Sequence, residues 1–188
     1  MKTTVIIPTK NEEKSVGKII KNVKPYADEI IVIDGHSKDK TRDVAKKLRV
    51  KVILDDKKGK GSALRIATKN AKYGLMVFID ADGSHDPKDI NKLTRPIKKK
   101  EADLVIGSRM LGGSDELHSD FFQLLRLIGN VGINLIINYA FKKKFTDCQN
   151  GFRAIKKDVF LDIKTKANTF TIEQEMVIKC IKKGYKVI

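Results

Sequence analysis

Tryptophan is absent from this 188-residue sequence, and aromatic residues of all kinds make up only 6% of it. Modules that hold single-stranded nucleic acid stack its bases on aromatic platforms, so this scarcity argues against that class of partner. Cysteine is almost missing too. Cys148 and Cys180 stand alone, in no paired metal or redox spacing, which removes zinc ribbons and disulfide scaffolds and leaves reduced thiols in a cytoplasmic protein as the expectation. His36, His85 and His118 do not fall at metal-ligand spacing. No apolar run reaches the roughly 18–20 residues of a spanning helix, and Met1 leads directly into a strand pattern without a signal-peptide layout. With no internal repeat, low-complexity tract or linker, residues 1–188 are expected to form a single domain.

What is present in excess is positive charge. Lys and Arg number 39 against 23 Asp and Glu, a formal net charge of +16. Such a surplus favours anionic partners, among them nucleic acid, anionic membrane surfaces and phosphorylated substrates. Most of it reads as a solvated, Lys-rich surface. Lys142-Lys143-Lys144 differs in following directly on a long apolar stretch.

Apolar strand runs alternate with helical periodicity through the first half of the chain. Strands are predicted at Thr3–Ile7, Glu29–Ile33, Val50–Leu54, Leu75–Ile79 and Asp103–Ile106. Between them lie helical patterns at Glu13–Lys24, from Asp39 or Lys40 through Leu48, at Gly59–Ala71, and from Pro87 to about Lys99. This βαβαβαβαβ order with near-continuous apolar strands predicts an α/β fold, a Rossmann-like, mostly parallel sheet with helices on both faces. The second half is less regular: a long helical pattern at Phe121–Phe141, a polar Gly-containing segment at Thr146–Arg153, helices at Lys157–Ile163 and Ile172–Lys183, and the start of a strand at Tyr185–Ile188.

Ligands of such sheets bind beyond the carboxyl ends of the strands. Polar clusters gather at those ends: Pro8-Thr9-Lys10-Asn11-Glu12, Asp34-Gly35-His36-Ser37, Asp80-Ala81-Asp82 and Gly107-Ser108-Arg109. In extended chain, residues two apart face the same side, so Asp80 and Asp82 can turn two hard oxygens on one ligand, as Mg²⁺ or Mn²⁺ shared with phosphates requires. Asp-x-Asp-Gly is equally good turn chemistry; its position at a strand end favours the metal. Gly59-Lys60-Gly61-Ser62 opens a helix and either offers N–H groups and the Lys60 ammonium to a phosphate or is simply a Gly-rich helix start.

In this order the motifs resemble those of family 2 glycosyltransferases. Val5-Ile6-Ile7-Pro8-Thr9-Lys10-Asn11-Glu12 is similar to the family's opening motif, and Val32-Ile33-Asp34-Gly35-His36-Ser37-Lys38-Asp39-Lys40-Thr41 to its second. Gly59-Lys60-Gly61, Asp80-Ala81-Asp82, Gly107-Ser108-Arg109 and Gly151-Phe152-Arg153-Ala154 resemble further ones, with the dolichyl-phosphate mannose and glucose synthases as the nearest subgroup. The resemblance implies a GT-A fold, an inverting mechanism, a nucleotide-sugar donor such as GDP-mannose or UDP-glucose, and a polyprenyl (dolichyl) phosphate acceptor. It places Pro8, Thr9, Glu12, Asp34, Lys60, Asp80 and Ala81 at the donor, Asp82 on the metal with Asp80 and Ser84 beside it, Arg109 at the diphosphate or acceptor phosphate, and Asp147 at the sugar pocket. Three departures stand out. Lys10 replaces the usual Tyr, Ser84 stands where many mannose synthases carry a metal-binding Gln, and the sequence stops at Ile188 where relatives continue.

Within Leu124–Phe141, Arg126, Asn130, Asn134 and Asn138 recur every four residues, a polar stripe on an otherwise apolar rod that Lys142-Lys143-Lys144 terminates. Such a helix either lies in a membrane interface, its basic end on anionic headgroups, or packs into the body with its stripe towards solvent or the site. A lipid-phosphate acceptor favours the interface, with Arg126 and Asn130 expected at the acceptor and the protein peripheral on the cytoplasmic membrane face. A lipid phosphate, with a second pKa of about 6, attacks with little help from a base. A sugar-hydroxyl acceptor, the alternative, needs a carboxylate such as Asp147, Glu173 or Glu175. A nucleotidyltransferase would carry an early Gly-rich phosphate loop, which Met1–Glu13 lacks. No nucleic-acid partner is expected.

Overall fold

The structure is a computed structural model. It describes residues 1–108 and 121–188, with residues 121–130 described by backbone alone. Six strands, β1 (Thr3–Thr9), β2 (Glu29–Asp34), β3 (Lys51–Leu54), β4 (Leu75–Phe78), β5 (Leu104–Ile106) and β6 (Arg153–Lys156), form one sheet in the order β3-β2-β1-β4-β6-β5. β1 pairs in parallel with both β2 and β4, and β2 with β3. β6 runs antiparallel between β4 and β5. The polar segment before Lys157 therefore ends in a strand that apolar patterning does not reveal, and β4 and β5 are separated rather than adjacent.

The alternation of side chains along the strands divides the core in two. Val5 and Ile7 of β1, Val32 of β2, and Leu75 and Val77 of β4 face α1 (Val16–Val23), α2 (Thr41–Lys47) and α4 (Ile90–Lys98). Ile6, Ile31, Ile33, Met76 and Phe78 face the other way, towards α3 (Lys60–Asn70), α6 (Lys157–Asp162) and α7 (Ile172–Lys182), with Ile137 of α5 (Phe121–Phe141) at that side. In α1 the buried residues Val16, Ile19, Ile20 and Val23 keep the spacing of one helical face. Both sheet faces are thus covered, as a mainly parallel sheet requires.

Two local details show how the sequence sets the frame. Pro8 sits in the central strand without breaking it, because β4 pairs with β1 only as far as Ile6 and leaves the end of β1 with one partner. At the far edge Val187 bridges β5 at Leu104, with the Ile188 N–H donating to the Leu104 carbonyl at 3.1 Å and the Leu104 N–H donating to the Lys186 carbonyl at 3.1 Å.

Candidate functional site

The sheet winds outward from β1 to β2 and β3 on one side, and from β4 to β6 and β5 on the other. The connection therefore reverses between β1 and β4, and the crevice beyond their carboxyl ends is where an open α/β sheet binds ligands. Pro8 and Thr9 end β1 on one side of it, and Asp80 follows β4 on the other.

The β1 side is stitched tightly. Asp34 is completely buried and accepts from the Thr9 hydroxyl at 3.1 Å, the Ser37 N–H at 2.9 Å and the Ser37 hydroxyl at 2.6 Å. Arg42 Nε lies 3.7 Å from the same carboxylate. Asn11, in the left-handed region at φ 58°, donates its N–H to Ser37 Oγ and accepts from the Lys38 N–H. The Glu12 N–H donates to Thr41 Oγ1 at 2.7 Å, while the Glu12 carboxylate accepts from Ser15 Oγ at 2.6 Å. The loops after β1 and β2 thus form one unit, with Asp34 as its internal acceptor and half-buried Pro8 and Glu12 at its rim.

At the centre lies an ion triad. Lys60 Nζ is 2.7 Å from Asp80 Oδ1 and 3.0 Å from Glu173 Oε1, with its side chain 12% exposed. Burial pulls the ammonium pKa down, but the charges and hydrogen bonds of Asp80 and Glu173 win and raise it above the usual lysine value. Glu173 is buried, and its Oε2 has no hydrogen-bond partner among the described residues. Gly151 closes the space: a Cβ there would lie 2.4 Å from Asp80 Oδ2 and 3.0 Å from Lys60 Nζ.

The loop before α7 fixes Lys60 in place. The Asn168 carbonyl accepts from the Gly61 N–H at 2.9 Å, and Arg65 donates to the Ala167 carbonyl at 2.6 Å and to the Asn168 side chain. A Cβ at Gly61 would meet the Ala167 carbonyl oxygen at 2.1 Å. The glycines before and within the first turn of α3 therefore serve close backbone approach, and that loop, not open space, covers the Gly61 N–H. Glu175 accepts from the Lys166 and Ala167 N–H groups at 2.9 and 2.8 Å and pairs with Lys179 at 2.7 Å. It is a loop anchor. Phe170, 75% exposed, lies over Lys60 with its ring centroid 5.3 Å from Nζ.

Behind Glu173, Arg153 is fully buried at the start of β6. Its guanidinium donates to the carbonyls of Asn150, Cys148 and Glu173, the last at 2.8 Å. This residue fastens α7 to the sheet and so sets where Glu173 stands. The Gly151-Phe152-Arg153-Ala154 motif marks the position in the sequence as a border of the sugar pocket, but a four-residue strand carries no periodic signal that its arginine is buried and serves as an anchor.

Asp82 lies in the exposed turn beyond Asp80, with Ala81 buried between them and Gly83 at φ +85°. Its Oδ1 accepts from the Ser84 N–H at 2.9 Å and the Ser84 hydroxyl at 2.7 Å. Partial burial pushes its pKa up, but the two Ser84 hydrogen bonds and the nearby His85 and Lys60 outweigh this and hold it below the ordinary value. The Ser84 hydroxyl thus supports Asp82. Among the described residues, a cavity of about 770 Å³ opens next to this turn, lined by Ser84, His85, Lys92, Lys143, Lys144 and Asp147 among others. Buried Asp147 sits on its wall, and His85 stacks on Phe152 at 5.1 Å.

α5 borders the same region. Asn134 donates to the Thr146 carbonyl at 2.9 Å and accepts from the Cys148 N–H at 2.8 Å, and Asn138 pairs twice with Phe145. This part of the polar stripe faces inward and holds the loop that lines the cavity. The outward side is apolar: Leu135 is 63%, Ile136 68% and Tyr139 91% exposed. Arg126 and Asn130 belong to the helix, but their side chains lie outside the described residues, as does Arg109 entirely. The structure thus brings Thr9, Lys60, Asp80, Ala81, Asp82 and Ser84 to one crevice, turns Asp34 into its support, and sets Asp147 in the adjoining cavity.

The donor set fits a divalent cation. Asp82 is ionised and open to solvent, Asp80 is partly exposed, and both offer hard oxygens at a strand end. Among the described residues no group of three or more His, Cys, Asp or Glu is placed to hold a metal ion, so a cation at these two carboxylates needs further ligands from phosphates or water.

The profile of the family described as "Glycosyl transferase family 2" matches residues 4–164. Glycosyltransferase AglJ of Haloferax volcanii is 32% identical over 97% of this chain and 59% of its own length. A UDP-N-acetylglucosamine–dolichyl-phosphate N-acetylglucosaminyltransferase of Methanococcus voltae is 32% identical, over 81% of this chain and 68% of its own. The dolichol-phosphate mannosyltransferase of Pyrococcus furiosus is 32% identical over 95% of this chain and 53% of its own. This chain spans about half to two thirds of those relatives. Glucosyl-3-phosphoglycerate synthase of Mycobacterium tuberculosis, crystallised with Mn²⁺, UDP and phosphoglyceric acid, superposes with a TM-score of 0.76 at 20% identity, over 99% of this chain and 66% of that one. That last likeness is one of fold.

Proposed function

This chain belongs to glycosyltransferase family 2 and has the GT-A fold, and on that premise we propose that it transfers a hexose from a nucleotide-sugar to a polyprenyl phosphate with Mg²⁺ or Mn²⁺ at Asp80 and Asp82. The observation that carries the reading is the convergence of Thr9, Lys60, Asp80 and Asp82 on the β1–β4 crevice, beside a cavity of mixed charge in which Lys143 and Lys144 face Asp86, Asp147 and the Lys92–Asp89 pair. A divalent ion bound there supplies Lewis-acid stabilisation of the departing nucleoside diphosphate.

The chain's own residues do the rest. The rim at Pro8, Thr9 and Glu12 receives the nucleotide, on a base that Asp34 makes rigid. Lys60 adds fixed positive charge beside the diphosphate, and Arg109 is assigned the same task from the segment outside the described residues. An acceptor phosphate, already ionised near neutrality, enters from the cavity on the side of Lys143 and Lys144, so no carboxylate has to take a proton. Of the three acids that a hydroxyl acceptor would call on, Glu175 anchors its loop, Glu173 pairs with Lys60, and Asp147 lies on the cavity wall.

The acceptor's lipid gives the outward face of α5 a role. Leu135, Ile136 and Tyr139 lie exposed next to Lys142-Lys143-Lys144, the composition of a helix seated in an anionic membrane interface. Among the described residues no helix is long and apolar enough to cross a membrane. Arg126 and Asn130 lie N-terminal to that patch on the same helix and are assigned to the acceptor.

A thermal-shift panel of GDP-mannose, UDP-glucose and UDP-N-acetylglucosamine with Mn²⁺ tests the donor half. One donor raises Tm in the presence of Mn²⁺ and not after EDTA, since stabilisation grows with the logarithm of ligand concentration over its dissociation constant. Stabilisation by none of the three, or equally without metal, contradicts the reading.

A further inference from the structure

The carboxylate expected to meet the metal already holds a cation. Lys60 Nζ sits 2.7 Å from Asp80 Oδ1, a closer approach than its 3.0 Å contact with Glu173. The triad is largely buried: the side chains of Lys60, Asp80 and Glu173 are 12%, 28% and 3% exposed. The backbone beneath the ammonium is fixed as well. The helix turn that carries it is pinned by the Gly61 N–H on the Asn168 carbonyl and by Arg65 on the same loop, Phe170 covers it, and Gly151 leaves no slack against Asp80.

We infer that Lys60 is a built-in counter-cation that competes with the divalent ion for Asp80, so that metal binds well only together with the nucleoside diphosphate. The inference deepens the proposed function and rests on its assignment of the metal to Asp80 and Asp82. Two carboxylates and one ammonium leave the triad with a single net negative charge. A divalent ion added alone brings two positive charges against Lys60 in a partly desolvated space, where like charges repel strongly. A diphosphate arriving with it gives the ammonium and the metal a shared anion. By linkage the coupling is reciprocal, so metal raises nucleotide affinity by the same factor. Glu173 keeps Lys60 charged and draws it partly away from Asp80, making it a positioning residue, with Arg153 holding the Glu173 backbone.

Calorimetric titration of Mn²⁺ into the 188-residue protein, alone and with saturating UDP or GDP, tests this without an activity assay. Lys60→Met is expected to bind Mn²⁺ alone at least about tenfold tighter than the parent and to lose a similar factor of the nucleotide–metal coupling. Glu173→Gln is expected to bind Mn²⁺ alone more weakly than the parent, because Lys60 then rests on Asp80 only. Lys58→Met removes an equal charge from the exposed loop before α3 and is expected to stay within about twofold of the parent. Far-UV circular dichroism establishes that each variant is folded. Unchanged or weaker Mn²⁺ binding by folded Lys60→Met overturns the inference while leaving the proposed function standing, as does Glu173→Gln binding as tightly as Lys60→Met. Absence of Mn²⁺ binding by parent and variants, even with nucleotide, overturns both.

Discussion

The two walls of the crevice are built on different principles. On the β1–β2 side, loops are joined by hydrogen bonds from backbone and side chains onto a few buried acceptors, Asp34 foremost. On the β6–α5 side, a long helix reaches inward with asparagines and outward with apolar side chains, around an open cavity. A rigid wall suits a ligand of fixed shape, such as a nucleotide, because pre-organised groups lose little entropy on binding. The open wall suits a partner that arrives from a lipid surface. The triad of Lys60, Asp80 and Glu173 lies where the two meet, since it joins α3, the end of β4 and the start of α7.

Substitutions that probe each wall separately break this contrast or sharpen it. The largest effect is expected at the junction. Asp82→Asn removes the exposed carboxylate proposed for the metal, which has little packing role, so kcat/KM is expected to fall by about 10³-fold while Tm hardly moves; a matching loss of stability would show that Asp82 holds the turn instead. Next comes the frame of the open wall. Arg153→Met leaves three buried carbonyls without their donor, costing about 3–5 kcal/mol in urea unfolding. If the cost is under about 1 kcal/mol, the buried guanidinium does not organise β6 and α7.

On the rigid wall, Asp34→Ala strips the acceptor from Thr9 and Ser37 and is expected to cost about 2–3 kcal/mol. Nucleotide affinity falls with it, whereas membrane binding does not change. The mirror experiment replaces Leu135, Ile136 and Tyr139 together by Ser. Co-sedimentation with anionic vesicles is expected to weaken by about tenfold or more, with donor-induced thermal shifts preserved. If both variants affect both readouts equally, the two walls are not functionally distinct.

The smallest effects come from titration. Asp82 has a native pKa below its unfolded value, so it contributes stability above the unfolded pKa and loses it as pH falls through the native one. The acid limb of Mn²⁺ binding with nucleotide is accordingly expected to lie below the ordinary carboxylate range. Burial pushes the Cys148 thiol up to about 11 and the Cys180 thiol to about 12, so neither reacts with Ellman's reagent at pH 8 until the protein unfolds.

The alternation of strands and helices through β5 was legible because local periodicity records which face each residue buries. Strand order was not. β6 has four residues and opens with an arginine, so nothing in its pattern separates it from a loop, and its insertion between β4 and β5 follows from tertiary pairing alone. Asp80 and Asp82 could be read from their place after a buried strand. Lys60 could be named but not its partner Glu173, since the two come from segments distant in sequence that only packing unites. Gly59 and Gly61 looked equally like a phosphate cradle and a plain helix start; the carbonyls of Ala167 and Asn168 that crowd them are invisible in a one-dimensional pattern. The asparagine period of α5 was plain, but periodicity gives the existence of a stripe and not the direction in which it faces.

Transfer of label from a radioactive nucleotide-sugar into an organic-extractable product tests the account most directly. With dolichyl phosphate and Mn²⁺, one of labelled GDP-mannose, UDP-glucose or UDP-N-acetylglucosamine is expected to yield lipid-linked label that EDTA and Asp82→Asn both abolish. Label that stays water-soluble with every donor, or lipid product formed undiminished by Asp82→Asn in EDTA, would contradict it.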